Sequence, residues 1–319
     1  MKTLQRNVCS CIDDIKSLTV ESDHLSSILH NILIIRSTEE ALVSLAKERV
    51  LRGPIHSYVG QEAVATGVLA NVKLDDAVTS THRGHGHYLA KGGDLFALLD
   101  ELCGLDSGCN GGMGGSMHVA DLSKGLYGAN GIVGGGVPIA CGLALSDKLN
   151  NSTSITISFF GDGASNQGVV YESLNIAAYL KLPVLFVCEN NQFAQSTRIT
   201  NVSASSISKK AEGFGINSFC ADGLNPCSVD STAKEAIAFV RDSNCPALLQ
   251  ADTYRFHRHF VAERPKPIDY IVESEHLEYL SKDPVFSFSS KFGFSPEVIT
   301  RLTSSLQAAI VEYIQSRLT

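Results

Sequence analysis

The stretch FFGDGASNQGVVYESLNIAAYLKLPVLFVCENNQF, residues 159–193, decides the fold. The segments leading into its two polar clusters, ITISFF and PVLFVC, are apolar and β-favouring. The first ends in GDG and a helix-compatible run, the second in ENN. Strand, glycine turn, helix and second strand make a βαβ unit, whose two strands end at the same edge of a parallel sheet. Asp162 and Asn191, 29 positions apart (191 minus 162), are therefore expected in one crevice. A carboxylate and an amide oxygen form a hard donor pair suited to Mg2+, which takes one or two protein carboxylates and completes its shell with phosphates and water. The glycines beside Asp162 allow close approach to a phosphate, and a helix beginning near Ala164 would offer free N–H groups to an anion. Alone, GDG reads as a turn and NN as a strand-end cap; their occurrence in one unit gives them weight.

At 319 residues the chain can bury a sizeable core. Its 44% hydrophobic and 18% charged content is that of a soluble globular protein. A net charge of −7 gives no reason to expect nucleic acid, although a local cluster could still bind a small anion. The most apolar segment, Ile132 to Leu145, is broken by Gly134, Gly135, Gly136, Pro138 and Gly142, which argues against a membrane span. The first residues lack an apolar signal core. Nine scattered cysteines read as free thiols in a reducing cytoplasm. Neither Cys9 with Cys11 nor Cys103 with Cys109 has a zinc-site spacing.

Apolar periodicity predicts helices over Glu21 to Leu51, from Gly60, over Asp94 to Leu102 and over Ser231 to Arg241. Val78 to Ser80 and PALLQADTYRF read as strands. The glycine-dense stretch Gly104 to Gly136 is too long for an ordinary connector and reads as functional. The tail from Glu273 is predicted helical, interrupted around Phe286 to Phe294. Strands alternating with helices predict an α/β protein, a doubly wound parallel sheet flanked by helices. It is expected as one domain over residues 1–319, with an N-terminal helical segment and a C-terminal helical tail.

GDG followed at this distance by NN resembles the diphosphate-binding motif of thiamine-diphosphate enzymes. GQEA at Gly60, THRGHGHYLAKG at Thr81, GGSMH at Gly114, GANGIVGGGVP at Gly128 and TYRFHRHF at Thr253 extend the likeness. In this order they resemble the alpha subunit of the first component of 2-oxo acid dehydrogenase complexes, with HRGHGHYLAKG nearest to the acetoin type. The resemblance implies a thiamine-diphosphate-binding fold. It implies Mg2+ held by Asp162, Asn191 and the carbonyl of Phe193, with Gly163 and Ala164 facing the diphosphate. Arg83 would bind the diphosphate, for which a guanidinium fork is well shaped. His82 stands where many pyruvate-type relatives have tyrosine. Gly131 and Val133 would hold the aminopyrimidine ring through their backbone. His259 would contact cofactor and substrate, with His56 and His85 as further catalytic candidates and His87 as a structural one. HRHF departs from the family's histidine-glycine-histidine-serine run at Arg258 and Phe260. The absent serine is a phosphorylation site in some relatives, so that control is not expected.

The implied activity is decarboxylation of a 2-oxo acid, or cleavage of an acyloin such as acetoin, with acyl transfer to lipoamide on a lipoyl-bearing acyltransferase. The alternative is a non-oxidative decarboxylase or acyloin-forming subunit. In two-chain members the glutamate set against the aminopyrimidine belongs to the beta subunit. A partner of that kind, in an α2β2 heterotetramer, is therefore expected. Glu62, at a helix start, reads as a dipole partner. A nicotinamide-binding reading fails because GIVGGG lacks the GxGxxG spacing.

Overall fold

The computed structural model describes residues 2–51, 53–261 and 270–319. In chain order its elements are α1 (Lys2–Lys16), α2 (Asp23–Lys47), α3 (Glu62–Leu69), β1 (Ala77–Thr79), α4 (Gly84–Ala90), α5 (Leu95–Leu102), α6 (Gly136–Leu149), β2 (Thr156–Gly161), α7 (Gly168–Leu180) and β3 (Val184–Asn190). They continue with β4 (Phe193–Ala194), β5 (Thr197–Arg198), α8 (Ile207–Glu212), β6 (Asn217–Asp222), α9 (Pro226–Ser243), β7 (Ala247–Asp252), α10 (Glu273–Leu280), α11 (Pro284–Lys291) and α12 (Pro296–Leu318).

The main sheet has five parallel strands in the order β1-β2-β3-β7-β6. Its side chains alternate between two cores. Ile157, Phe159, Leu185, Val187, Leu249 and Ala251 enter one, while Phe160, Val184, Phe186, Cys188 and Leu248 enter the other. This period of two, apolar on both faces, is what a sheet covered on both sides requires. The second face is closed by α6, α7 and α8; the first packs against α3 and α9 and, beyond them, α2 and α12. Buried Arg36 on α2 ties this layer together. Its Nε donates to Glu62 Oε1 at 2.5 Å, and Nη1 and Nη2 donate to Asp283 at 2.7 and 3.0 Å. Removing one member would leave a buried charge uncompensated, at about 3–5 kcal/mol. Among the described residues, no helix is long and apolar enough to cross a membrane.

The α/β, doubly wound expectation holds, and three local expectations are corrected. Residues Lys2–Lys16 form a separate helix, α1, ahead of the predicted start at Glu21. Of the expected interruption from Phe286 to Phe294 only Phe292 to Phe294 is non-helical, because Asp283 caps α11 through Val285 N and α11 runs on to Lys291. Near Ala164 there is a 3-10 turn, Ala164–Asn166, and the α-helix begins only at Gly168. All nine cysteines are free.

The glycine-dense stretch is organised around one carboxylate. Glu101, at the end of α5, is buried. Its Oε2 accepts from Asn110 N and Gly112 N at 2.7 and 2.9 Å, and its Oε1 from Gly114 N and Gly115 N at 2.7 and 2.9 Å. These bonds hold its pKa below the usual glutamate value although burial opposes them. Four N–H donors need two anionic oxygens, and a glutamine amide would turn its own donors on two of them. Glu101→Gln is expected to cost about 2 kcal/mol or more, the penalty for buried groups left unsatisfied. Thermal unfolding reads the loss, and faster amide exchange over residues 110–115 should accompany it.

Candidate active site

Four neighbouring strands deliver polar residues to one edge of the sheet. β1 runs out to His82 and Arg83, and β2 to Asp162, Gly163 and Ala164. β3 leads to Asn191 and Phe193, and β7 to His259. The register makes this so: Thr79 lies opposite Ser158, Gly161 opposite Glu189, and Asn190 opposite Asp252. This is the carboxyl edge of an open α/β sheet, where ligands bind. A cavity of about 340 Å³ lies there, and all eight of those residues line it, with Val133.

Asp162 is buried and its Oδ2 has no hydrogen-bond partner among the described residues. Burial raises its pKa to about 6, against an opposing hydrogen bond from the Gly163 backbone. Asn191 is buried beside it and its Oδ1 accepts from Phe193 N at 3.2 Å. Gly163 is required by packing, since a Cβ there would lie 2.7 Å from Ala194 Cβ. The turn therefore sits directly against the segment following β3.

Arg83 is buried, donating from Nη1 to Ser57 O at 2.6 Å and from Nη2 to His259 O at 2.9 Å. Among the described residues no carboxylate pairs with it. Burial, and then the charge of Arg255, lower its pKa to about 9. His56, His82 and His259 form a triangle beside it, with ring centroids 4.7, 4.9 and 5.3 Å apart. Burial first, and Arg83 second, hold all three imidazoles in the neutral form. The pKa values of His56 and His259 fall to about 3, and that of His82 lies well below the ordinary value. His56 Nδ1 and His82 Nε2 are buried without partners among the described residues.

The sequence expectations divide accordingly. His56 does not line the cavity but packs edge-on against His82 and His259. Gly131 does not line it either; Asn130, Ile132, Val133 and Gly134 do. His85 is placed elsewhere. It is fully buried, with Nδ1 at 2.9 Å from Glu39 Oε1 and Nε2 at 3.1 Å from Ser116 Oγ, so it cannot touch a ligand in the cavity. Helix α4 begins at Gly84 and carries His85 and His87 inward, away from His82. His87 lies under the sheet edge, 2.7 Å from Ser80 Oγ and stacked on Phe159. Glu62 is engaged by Arg36. Sequence reasoning missed Gln61, which contacts Asn191, and Arg255, whose charge acts on Arg83 and the histidines. Both stand inside motifs that were noticed, but nothing in the sequence showed where their side chains go.

Comparison with known proteins agrees with this geometry. Residues 30–291 match the model of the family described as dehydrogenase E1 component. The chain is 43% identical over 260 residues to the alpha subunit of acetoin:2,6-dichlorophenolindophenol oxidoreductase from Bacillus subtilis, covering 81% of this chain and 77% of that protein. The protein of the same name from Cupriavidus necator is 43% identical over 248 residues, 77% of this chain and 74% of its own length. The pyruvate dehydrogenase E1 component subunit alpha of Rickettsia felis is 37% identical over 256 residues, 80% and 78% of the two chains. Extent and identity together make this chain a member of the dehydrogenase E1 component family.

Proposed function

We propose that this chain is the alpha subunit of a thiamine-diphosphate-dependent dehydrogenase that cleaves acetoin or decarboxylates a 2-oxo acid and passes the acyl group to lipoamide. The observation that carries the reading is the convergence of Asp162, Asn191, Phe193 and Arg83 on one cavity. The family implies thiamine diphosphate, and the residues present fit it. Asp162 Oδ2 is a buried carboxylate oxygen without a partner among the described residues, of the kind a hard cation would satisfy. Buried Arg83, with Arg255 adding to the field, forms a positive region that an anionic diphosphate would neutralise.

In this reading Asp162, Asn191 and the Phe193 carbonyl hold Mg2+. Gly163 and Ala164 face the diphosphate, and Val133, on the segment that follows Gly131, presents backbone to the aminopyrimidine. Bound there, thiamine diphosphate supplies the carbanion chemistry that cleaves the bond beside a carbonyl. His259 and His82 line the reacting end, and His56 braces both. As neutral imidazoles the lining pair can accept or return a hydroxyl proton at a ring nitrogen. Relatives named for acetoin share more identity with this chain than the one named for pyruvate, which favours acetoin as substrate.

Among the described residues Asp162 is the one acidic residue lining the cavity. Among the described residues no glutamate lines the cavity to serve the aminopyrimidine, so a beta subunit is proposed to supply it. Helices α6 and α7 pack together and expose Ile139, Ile176 and Tyr179, the last 84% exposed. Such apolar surface is suited to a partner.

Three outcomes test this. The purified chain with thiamine diphosphate and Mg2+ should turn over neither acetoin nor pyruvate until a beta subunit is added; robust turnover by the chain alone would sink the half-enzyme reading. In that assay, acyl transfer to a lipoyl domain separates a dehydrogenase from an enzyme releasing aldehyde or acyloin. Asp162→Ala should abolish cofactor binding in calorimetry while leaving the unfolding midpoint of the cofactor-free chain unchanged or raised. The histidines give a pH signature. A histidine at about 3 when folded and about 6.5 when unfolded contributes stability that is complete above pH 6.5 and lost as pH falls through 3. The unfolding midpoint of the cofactor-free chain should therefore fall between pH 7 and 4.5, and that of His56→Gln should fall less.

A further inference from the structure

The start of α3 departs from the usual helix N-terminus. Gln61 holds the N-cap position, where serine, threonine, aspartate or asparagine ordinarily caps the first turn. Its side chain caps nothing. It is completely buried, and an amide buried for no purpose is costly. Instead it reaches the end of β3, where its Oε1 accepts from Asn191 Nδ2 at 3.0 Å. Among the described residues no other acceptor serves that nitrogen. The segment carrying Gln61 is itself anchored to the sheet edge: Thr253 Oγ1 donates to Gly60 O at 3.1 Å, Phe256 N to Val59 O at 3.1 Å, and Thr253 N to Asn190 O at 3.0 Å. Gln61 is thus fixed against the strand ends that carry the site.

An asparagine amide has two chemically opposite ends. Only the oxygen can bind a cation; a flip would offer the NH2 group. With Nδ2 tied to Gln61, Oδ1 is held on the opposite side, where Phe193 N donates to it. We infer that Gln61 is a positioning residue that sets the amide orientation of Asn191 and thereby the cation affinity of the site. This rests on the reading of Asp162, Asn191 and Phe193 as the divalent-cation ligands. Groups that orient metal ligands from behind are worth about 10- to 100-fold in metal affinity.

The test uses the chain assembled with its beta subunit and thiamine diphosphate. Mn2+ is the probe, and free Mn2+ is read by electron paramagnetic resonance. Gln61→Met keeps the length of the side chain and removes the acceptor; Gln61→Glu keeps the acceptor; Asp162→Ala removes a proposed ligand. The expected result is a loss of about 10- to 100-fold in Mn2+ affinity for Gln61→Met, with affinity at or above wild type for Gln61→Glu, each read on variant protein that is folded and assembled without metal. Wild-type affinity in Gln61→Met, with binding lost in Asp162→Ala, overturns the inference and leaves the metal site standing. Wild-type affinity in Asp162→Ala overturns both. Should Gln61→Met not fold, Gln61→Ala, which also removes the acceptor, decides: a folded Gln61→Ala that has lost Mn2+ affinity upholds the role of the acceptor, and wild-type affinity overturns it.

Discussion

Parallel pairing of β2 with β3, Gly161 opposite Glu189, fixes where chemistry can occur in this protein. It ends two strands one residue apart, so that Asp162 and Asn191 enter the same cavity. A register slip of one residue would move one of them by about 3.3 Å and turn it to the other face. The slip is prevented by the double core. Phe159 and Phe160 bury on opposite faces, as do Leu185 and Phe186, and a shift would break the packing of both faces at once. The site is therefore as well defined as the sheet, and β1 and β7 place Arg83 and His259 by the same means.

Charge follows a different logic. The chain is acidic overall, at −7, yet Arg83, His82 and His259 line its cavity, with buried Arg255 and His56 behind them, and the three imidazoles are held neutral by burial and by those arginines. Arg83 leans on carbonyl oxygens, which stabilise it less than an ion pair would. The cavity thus combines excess positive charge with a buried carboxylate, Asp162, which faces neither arginine closely enough for a salt bridge among the described residues. An anion carrying its own cation matches both halves. Neither half could be read from composition, because each comes from residues far apart in sequence.

How much the sequence disclosed depended on how local each signal was. GDG and ENN each lie within a few residues of a strand end, so the strand prediction placed Asp162 and Asn191 directly. HRGHGH was harder. It looks like a loop with three equivalent histidines, but a helix begins at Gly84, and helical geometry sends His85 and His87 into the core while His82 stays at the edge. Helix α6 was hidden because Gly136 and Gly142 carry low helix propensity. Packing of Val137, Ala140 and Ala144 against β2 and α7 outweighs that cost. Glu101 and Gln61 were invisible because their partners are backbone groups or a side chain 130 positions away.

The polar groups that fit the proposed ligand are also the ones that burden the fold without it. Among the described residues Arg83 is buried without a carboxylate, Asp162 keeps an oxygen without a partner, and His56 and His82 each keep a nitrogen without one. Each such group lowers native stability relative to an apolar replacement. A ligand that binds only the native state stabilises it by an amount set by its concentration over its dissociation constant. In the proposed reading, cofactor and metal would act on this balance by satisfying the groups that the sheet edge has concentrated there. The arrangement that makes the cavity a binding site makes the chain alone its least stable form.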